Sequence, residues 1–336
     1  MASGKDKTVT TIKQILPWLG TFLLLGYLAC TTDLDTVSEA VMEADILLLI
    51  AVALAGTLAT FFTDTWCVKL AFTRFVCPVT YKEALPIKAT SYFLNVLNYN
   101  VALVGMAFYL KKAKDAPFWR SLGAMFFLNV MDIVALCVML CGGLLATWGD
   151  DTLDVATRAV AWTIVGGGIT GFSISVVLLK LNLPIPIISR MMKLEILQPL
   201  ADLDFKTLGM FVLLRILFLS QYLLSQWAFL YLFGIEVPGN RLLVYLPLLT
   251  FVQIVPISIS GLGTVQLVMR RFYSRYVTVA TQHTGAIVDA FSTTAILGFM
   301  IFRIVIAYFY LGDLSREVIQ KAGSINADEQ EPNHTP

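Results

Sequence analysis

The sequence predicts an all-α polytopic membrane protein with about six full spans and two re-entrant broken hairpins, arranged as an inverted repeat. Three observations carry that expectation. Of 336 residues, 57% are hydrophobic and only 14% are charged, with a mean hydropathy of +0.77; an ordinary soluble domain is about 25% charged. Apolar stretches recur at 14–31, 45–63, 121–147, 159–179, 207–234 and 286–311, most of them reaching the roughly 20 residues that cross a bilayer's hydrocarbon core. Two further apolar regions are interrupted by polar or helix-breaking clusters, NVLNYN (95–100) and PISISGLG (256–263).

Charge sets the expected orientation. The formal net charge is +1, but MASGKDKTVTTIK before the first span is basic, and TTDLDTVSEAVMEAD after it carries acids and no Lys or Arg. Positive-inside reasoning puts the N-terminus in the cytoplasm. Residues 1–12 are read as a cytoplasmic segment, 13–312 as one transmembrane domain, and 313–336 as a cytoplasmic tail too polar to fold alone. LLLGYLAC ends in Cys30 like a lipoprotein cleavage site, but Tyr27 stands where a small aliphatic residue belongs, so no cleaved leader is expected.

The second span, 45–63, returns to a cytoplasmic side carrying Lys69, Arg74, Lys82 and Lys88. Residues 91–110 then have basic residues at both ends, with Lys111, Lys112, Lys114 and Arg120 following. An element with both ends on one side is a hairpin, and the arm YKEALPIKATSYFLNVL is too polar to meet lipid, which favours re-entry. Span 121–147 leads out to the acidic GDDTLDVATR, and 159–179 comes back to PIISRMMKLEILQP, whose apolar spacing suits an interfacial helix. Residues 207–234 cross outward. Residues 242–255 give about 21 Å of helix before the breaker, short of the ~30 Å core, so PISISGLG reads as the tip of a second hairpin. That places Arg241, Arg271 and Arg275 on the outer side, against the usual bias. The last span, 286–311, returns the C-terminus to the cytoplasm.

A shift of the sequence against itself sets 75–105 on 233–263, matching Phe75 with Phe233, Val79 with Val237, Leu85 with Leu243, Phe93 with Phe251 and Gly105 with Gly263. The half-repeats, approximately 45–147 and 207–311, run in opposite directions, each with a hairpin between two spans. One residue of slip pairs Asp132 with Asp289, the lone acid inside each following span.

Irregular backbone at membrane depth is tolerated only where it is buried in protein or lines water. The first break offers Asn95, Asn98 and Asn100; the second offers Gln253, Ser258 and Ser260, with backbone freed by Pro256, Gly261 and Gly263. Gly263 precedes TVQLVMRR, so it can open a half-helix whose N–H groups suit a phosphate or carboxylate, with Gln266 and Arg270 following. Asp132, Asp289, Arg215 and Arg303 lie within spans, where ionisable groups face an interior, pair, or act. Both arginines sit near cytoplasmic ends and can instead snorkel to lipid phosphate, while Asp132 can pair with either. Trp66, Trp119, Trp148 and Trp162 fall near span ends as interface anchors do. The two histidines, His283 and His334, lie in a loop and in the tail, and the five cysteines read as small apolar packers. The parts for metal hydrolysis or His-based nucleophilic catalysis are therefore missing, and no enzyme, metal site, cofactor or nucleic-acid partner is expected.

The order of spans, NVLNYNVALVG followed by FFLNVMDIVAL, and above all PISISGLGTVQLVM resemble the membrane region of lysylphosphatidylglycerol synthases, within the flippase-like family. In that family the second hairpin typically reads proline, a small-residue stretch, glycine-x-glycine and then a glutamate. Pro256, Gly261 and Gly263 match, and Gln266 stands at the acid. The first half of the family tends towards asparagine-x-x-proline and arginine-x-x-aspartate; Asn95 and Asp132 fit, with Asn98 for the proline and Asn129 for the arginine. The resemblance implies a flippase-like transporter in a bacterial or archaeal cytoplasmic membrane. It would move a polar lipid or lipid-linked precursor between leaflets, an anionic headgroup being favoured, in a polar cavity between the two hairpins. The aminoacyl-transferring domain of such synthases is a separate module, which the residues after 311 are too few to hold. The alternative is a non-transporting accessory subunit of an envelope-synthesis complex.

Overall fold

The computed structural model describes residues 42, 44–97, 99–149, 153–180, 194–254, 264–278 and 284–328; for 96–97, 99–100, 254 and 311–328 it describes the backbone alone. The described residues form helices: α1 (Ile46–Phe75), α2 (Tyr81–Leu97), α3 (Tyr99–Lys114), α4 (Phe118–Ala146), α5 (Val155–Lys180), α6 (Phe205–Leu232), α7 (Gly239–Ile254), α8 (Thr264–Tyr273) and α9 (Thr284–Asp328), with short turns at Glu195–Leu197, Gln198–Ala201 and Ser274–Tyr276. Among them the only β pairing is an isolated bridge between Ile235 and Val277. Five helices, α1, α4, α5, α6 and the Thr284–Tyr310 part of α9, are long and apolar enough to cross a membrane. The expected first span at 14–31 lies outside the described residues, as do the 181–193 part of the expected interfacial helix and all of PISISGLG.

Helix starts follow from local chemistry. Asp45 caps α1, its Oδ1 accepting the Leu48 N–H at 3.1 Å. Thr80 and Glu83 form a reciprocal capping box at α2: the Thr80 N–H donates to Glu83 Oε2 at 2.7 Å and the Glu83 N–H donates to Thr80 Oγ1 at 3.4 Å. Asp154 caps α5 through Thr157, whose hydroxyl donates to Oδ2 at 3.0 Å. Those Thr157 hydrogen bonds hold the Asp154 carboxyl below the usual carboxylate value.

Two boundaries differ from the hydropathy reading. The second span was expected to end at 63, but α1 continues unbroken to Phe75. Its polar extension survives because Asp64 is paired and the Thr65 hydroxyl donates to the Phe61 carbonyl at 2.7 Å. The 91–110 stretch, read first as one apolar element, is divided between α2, which begins at Tyr81, and α3; these pack against each other along their length.

The chain divides into two compact units. The first comprises the described residues within 42–58, 133–172 and 216–299. Ala135, Leu136, Met139 and Leu219 form a buried cluster joined by Leu243 and Phe251 of α7. Gly143 lies so close to α7 that an added Cβ would meet the Leu243 carbonyl carbon at 2.7 Å. Helices α7 and α8 pack together, Tyr245 stacking on Phe272 at 4.4 Å between centroids. Gly234, with φ of 64°, makes the turn after α6, and its carbonyl accepts the Thr278 N–H at 2.9 Å. The second unit comprises the described residues within 59–132, 173–215 and 300–328. It is centred on Phe75, Phe127 and Phe211, with Phe75–Phe127 centroids 4.8 Å apart and Phe127–Phe211 5.0 Å apart.

Adjacent glycines on α4 provide a packing test. Nothing lies within 4 Å of a Cβ at Gly142, whereas one at Gly143 would strike backbone. Gly143→Ala should destabilise the protein by about 1–3 kcal/mol through overpacking, and Gly142→Ala should match or slightly exceed wild type because alanine favours helix. Thermal unfolding of the purified variants in detergent gives the comparison.

A buried charge cluster as candidate functional site

Within the second unit, four ionisable side chains from four helices converge. Asp64 on α1 binds Lys88 of α2 in a short ion pair and binds Arg215 of α6, Oδ1 to Nη1, at 2.6 Å. Arg215 Nε lies 3.1 Å from Oδ1 of Asp132 on α4. The Arg215 side chain is 4% exposed and Asp132 25% exposed. Two acids thus meet two bases, and the cluster is neutral. Isolated charges in a low-dielectric interior are very costly, and mutual pairing offsets that cost.

Local sequence delivers each group. Thr60, Asp64, Val68, Ala71 and Phe75 are all buried, at the spacing of one helical face. On α2, Ala84, Ile87 and Tyr92 are buried around Lys88 in the same way. Lys88 Nζ also lies 5.3 Å from the Tyr92 ring centroid, and Arg303 of α9 lies 5.4 Å from it.

Of the arginines within spans, Arg215 does not snorkel; it is buried between Asp64 and Asp132, which settles Asp132 on Arg215 and not on Arg303. Asp289 is partnered in the first unit by Arg270, whose Nε lies 2.7 Å from Oδ1 and 2.8 Å from Oδ2, with a third short contact from Nη2. The Arg270 fork, expected at a headgroup, is therefore occupied by a carboxylate. Gln266, on the first turn of α8, is buried; its Nε2 donates to Thr293 Oγ1 at 3.4 Å. Helix α8 begins at Thr264, immediately after Gly263. Asn95 is half-buried on α2 and Gln253 is exposed on α7. Asn98, Pro256, Ser258, Ser260, Gly261 and Gly263 lie outside the described residues, and Asn100 is described in backbone only.

Sequence reasoning missed Asp64 and Lys88. Asp64 fell one residue past the assigned span and Lys88 was counted as a cytoplasmic charge. Helical periodicity carried beyond 63, which keeps Asp64 on the face of Thr60 and Val68, was the available signal.

The geometry ranks the variants. Arg215→Met leaves two carboxylates with one base, Lys88, and should cost about 3–5 kcal/mol. Asp132→Asn, at the most exposed member, should cost least. Asp64→Asn combined with Lys88→Met, which removes a base and an acid together, should be milder than Asp64→Asn alone. Unfolding midpoints in detergent would test the order, and an Arg215→Met protein as stable as wild type would disprove the cluster's structural role.

No curated protein and no solved structure matches the chain. The sequence model of the family described as Lysylphosphatidylglycerol synthase TM region matches residues 15–302. That match takes in the whole charge cluster and the long apolar helices α1, α4, α5 and α6, and it ends within α9, before Arg303. This multi-pass membrane chain belongs to the lysylphosphatidylglycerol synthase transmembrane-region family.

Proposed function

We propose that the protein is a flippase-like transporter that moves a polar lipid or lipid-linked precursor between leaflets of a cytoplasmic membrane, and that it is not an enzyme. The observation that carries this reading is the buried ion-pair cluster tied to the α2–α3 hairpin through Lys88. A headgroup crossing a bilayer needs compensating polar groups at every depth. A hairpin held by a lysine's ion pair can exchange that pair for a headgroup phosphate without stranding the lysine, whereas an apolar contact offers no such exchange. Lysine suits the task as a compact point charge on a flexible stem.

The inverted repeat supports the same reading. In each half a long helix, a proline-containing shorter helix, a second shorter helix and another long helix follow in order, with Pro86 in α2 and Pro247 in α7. The matched residues Phe75 and Phe233, and Val79 and Val237, are all buried where each long helix leads into its hairpin. In this reading both hairpins are re-entrant from opposite sides, both termini are cytoplasmic, and the partner is a membrane lipid.

The test is exchange of labelled lipids between leaflets in vesicles holding the purified protein. Wild type should exceed empty vesicles, and the charge-balanced pair Asp64→Asn with Lys88→Met should fall to the empty-vesicle level while keeping its fold. Exchange that persists in the folded double variant removes Lys88 from the mechanism. No exchange with any lipid class by wild type turns the reading to an accessory subunit for envelope synthesis, in which the cluster is only a brace.

A further inference from the structure

We propose that Arg303, lying over the Tyr92 ring, is a recognition site for the phosphate of an anionic lipid headgroup. This rests on the lipid-handling reading for the choice of a lipid as the source of the phosphate, but the positive charge itself does not. Around Tyr92 stand two cations, Lys88 and Arg303, at 5.3 and 5.4 Å from its centroid. Lys88 is neutralised by Asp64, and Arg215 is shared by Asp64 and Asp132. Arg303 has no ion-pair partner among the described residues, and its Nε is buried without a hydrogen bond there. The cluster and its surroundings thus hold three cations against two carboxylates, with the surplus charge on Arg303.

Structure limits where that charge can be matched. Tyr92 is buried, is hydrogen-bonded to Thr60 and packs on Phe61, whose ring in turn meets Tyr310. This aromatic shelf faces the guanidinium but supplies no anion, since a ring offers only its quadrupole. A guanidinium presents a planar fork that fits phosphate oxygens two at a time. The fork's planarity favours a phosphate over a monatomic anion, and the acyl chains of a lipid would remain outside the polar site. Arg270, in the first unit, is already closed by Asp289, so it does not offer a second such site.

The test uses full-length protein in neutral detergent, with affinity read from ligand-induced shifts in thermal unfolding. The probes are short-chain phosphatidic acid, short-chain phosphatidylcholine and inorganic phosphate. Wild type should bind phosphatidic acid more tightly than phosphatidylcholine. Arg303→Gln should weaken phosphatidic acid by tenfold or more, and Arg303→Lys, which keeps the charge but loses the fork, by less. Binding of inorganic phosphate that is lost in Arg303→Gln supports the proposal and makes the phosphate itself the recognised group. Phosphate failing while phosphatidic acid binds supports it with the lipid as the source. Should Arg303→Gln fail to fold, Tyr92→Leu, which removes the ring that orients the guanidinium, replaces it with the same expected loss. Affinities unchanged within twofold in a folded Arg303→Gln protein, or no preference for phosphatidic acid over phosphatidylcholine, overturn the site. Binding is measured without transport, so its failure is distinguishable from failure of leaflet exchange.

Discussion

One guanidinium holds the described charge network together. Arg215 meets Asp64 through Nη1 and Asp132 through Nε, so a single cation on α6 permits carboxylates on two other helices. With Arg215 in place, Asp64 can lie on the buried face of α1 and Lys88 can enter the protein on α2 with a partner waiting. Without it two acids would share one lysine, and like charges in a low-dielectric site drive one of them to neutrality. Charge balance, more than apolar packing, therefore decides which polar residues this membrane chain can carry inside. It also accounts for a helix that runs past its hydropathic end.

The gross architecture was legible because lipid imposes a coarse rule on composition. Long helices α4, α5 and α6 fall close to the apolar stretches 121–147, 159–179 and 207–234, and the break in the first hairpin falls inside NVLNYN. Trp66, Trp119, Trp148 and Trp162 are all exposed, as interface anchors would be. The charge partners were less legible. A hydropathy window treats Asp64 and Lys88 as the end of greasy sequence, since it cannot weigh a pair formed from residues on different helices. Pairing is a tertiary property, and the sequence left Asp132 with Arg215 and Arg303 as equal choices. Arg270 shows the same limit from the other side. Its place after a helix start suggested a ligand, while its actual partner, Asp289, lies on another helix.

The Arg270–Asp289 and Lys88–Asp64 pairs differ in how firmly they fix their helices. Arg270 and Asp289 form a bidentate pair on α8 and α9, with both carboxylate oxygens engaged. A planar fork on a carboxylate is directional, and rotation of either helix would break it. Lys88 instead contacts Asp64 with an ammonium that can swing through a range of angles on four methylenes. The α2–α3 hairpin is thus the element whose polar tether tolerates displacement, and the α8–α9 contact is the stiffer of the two.

The departures from the family pattern also make sense in terms of charge. The resemblance set out above implies an arginine three residues before the aspartate of the first half, and this chain has Asn129 there. Loss of that arginine would leave Asp132 without a local counter-charge, yet Asp132 lies against Arg215 from another helix. In the second half the expected glutamate is Gln266, which is neutral and buried. A carboxylate at that position would stand one helical turn from Arg270 and compete with Asp289 for it. With glutamine there, the Arg270–Asp289 pair is undivided. In both places the remaining acid lies against an arginine of another helix, Asp132 against Arg215 and Asp289 against Arg270.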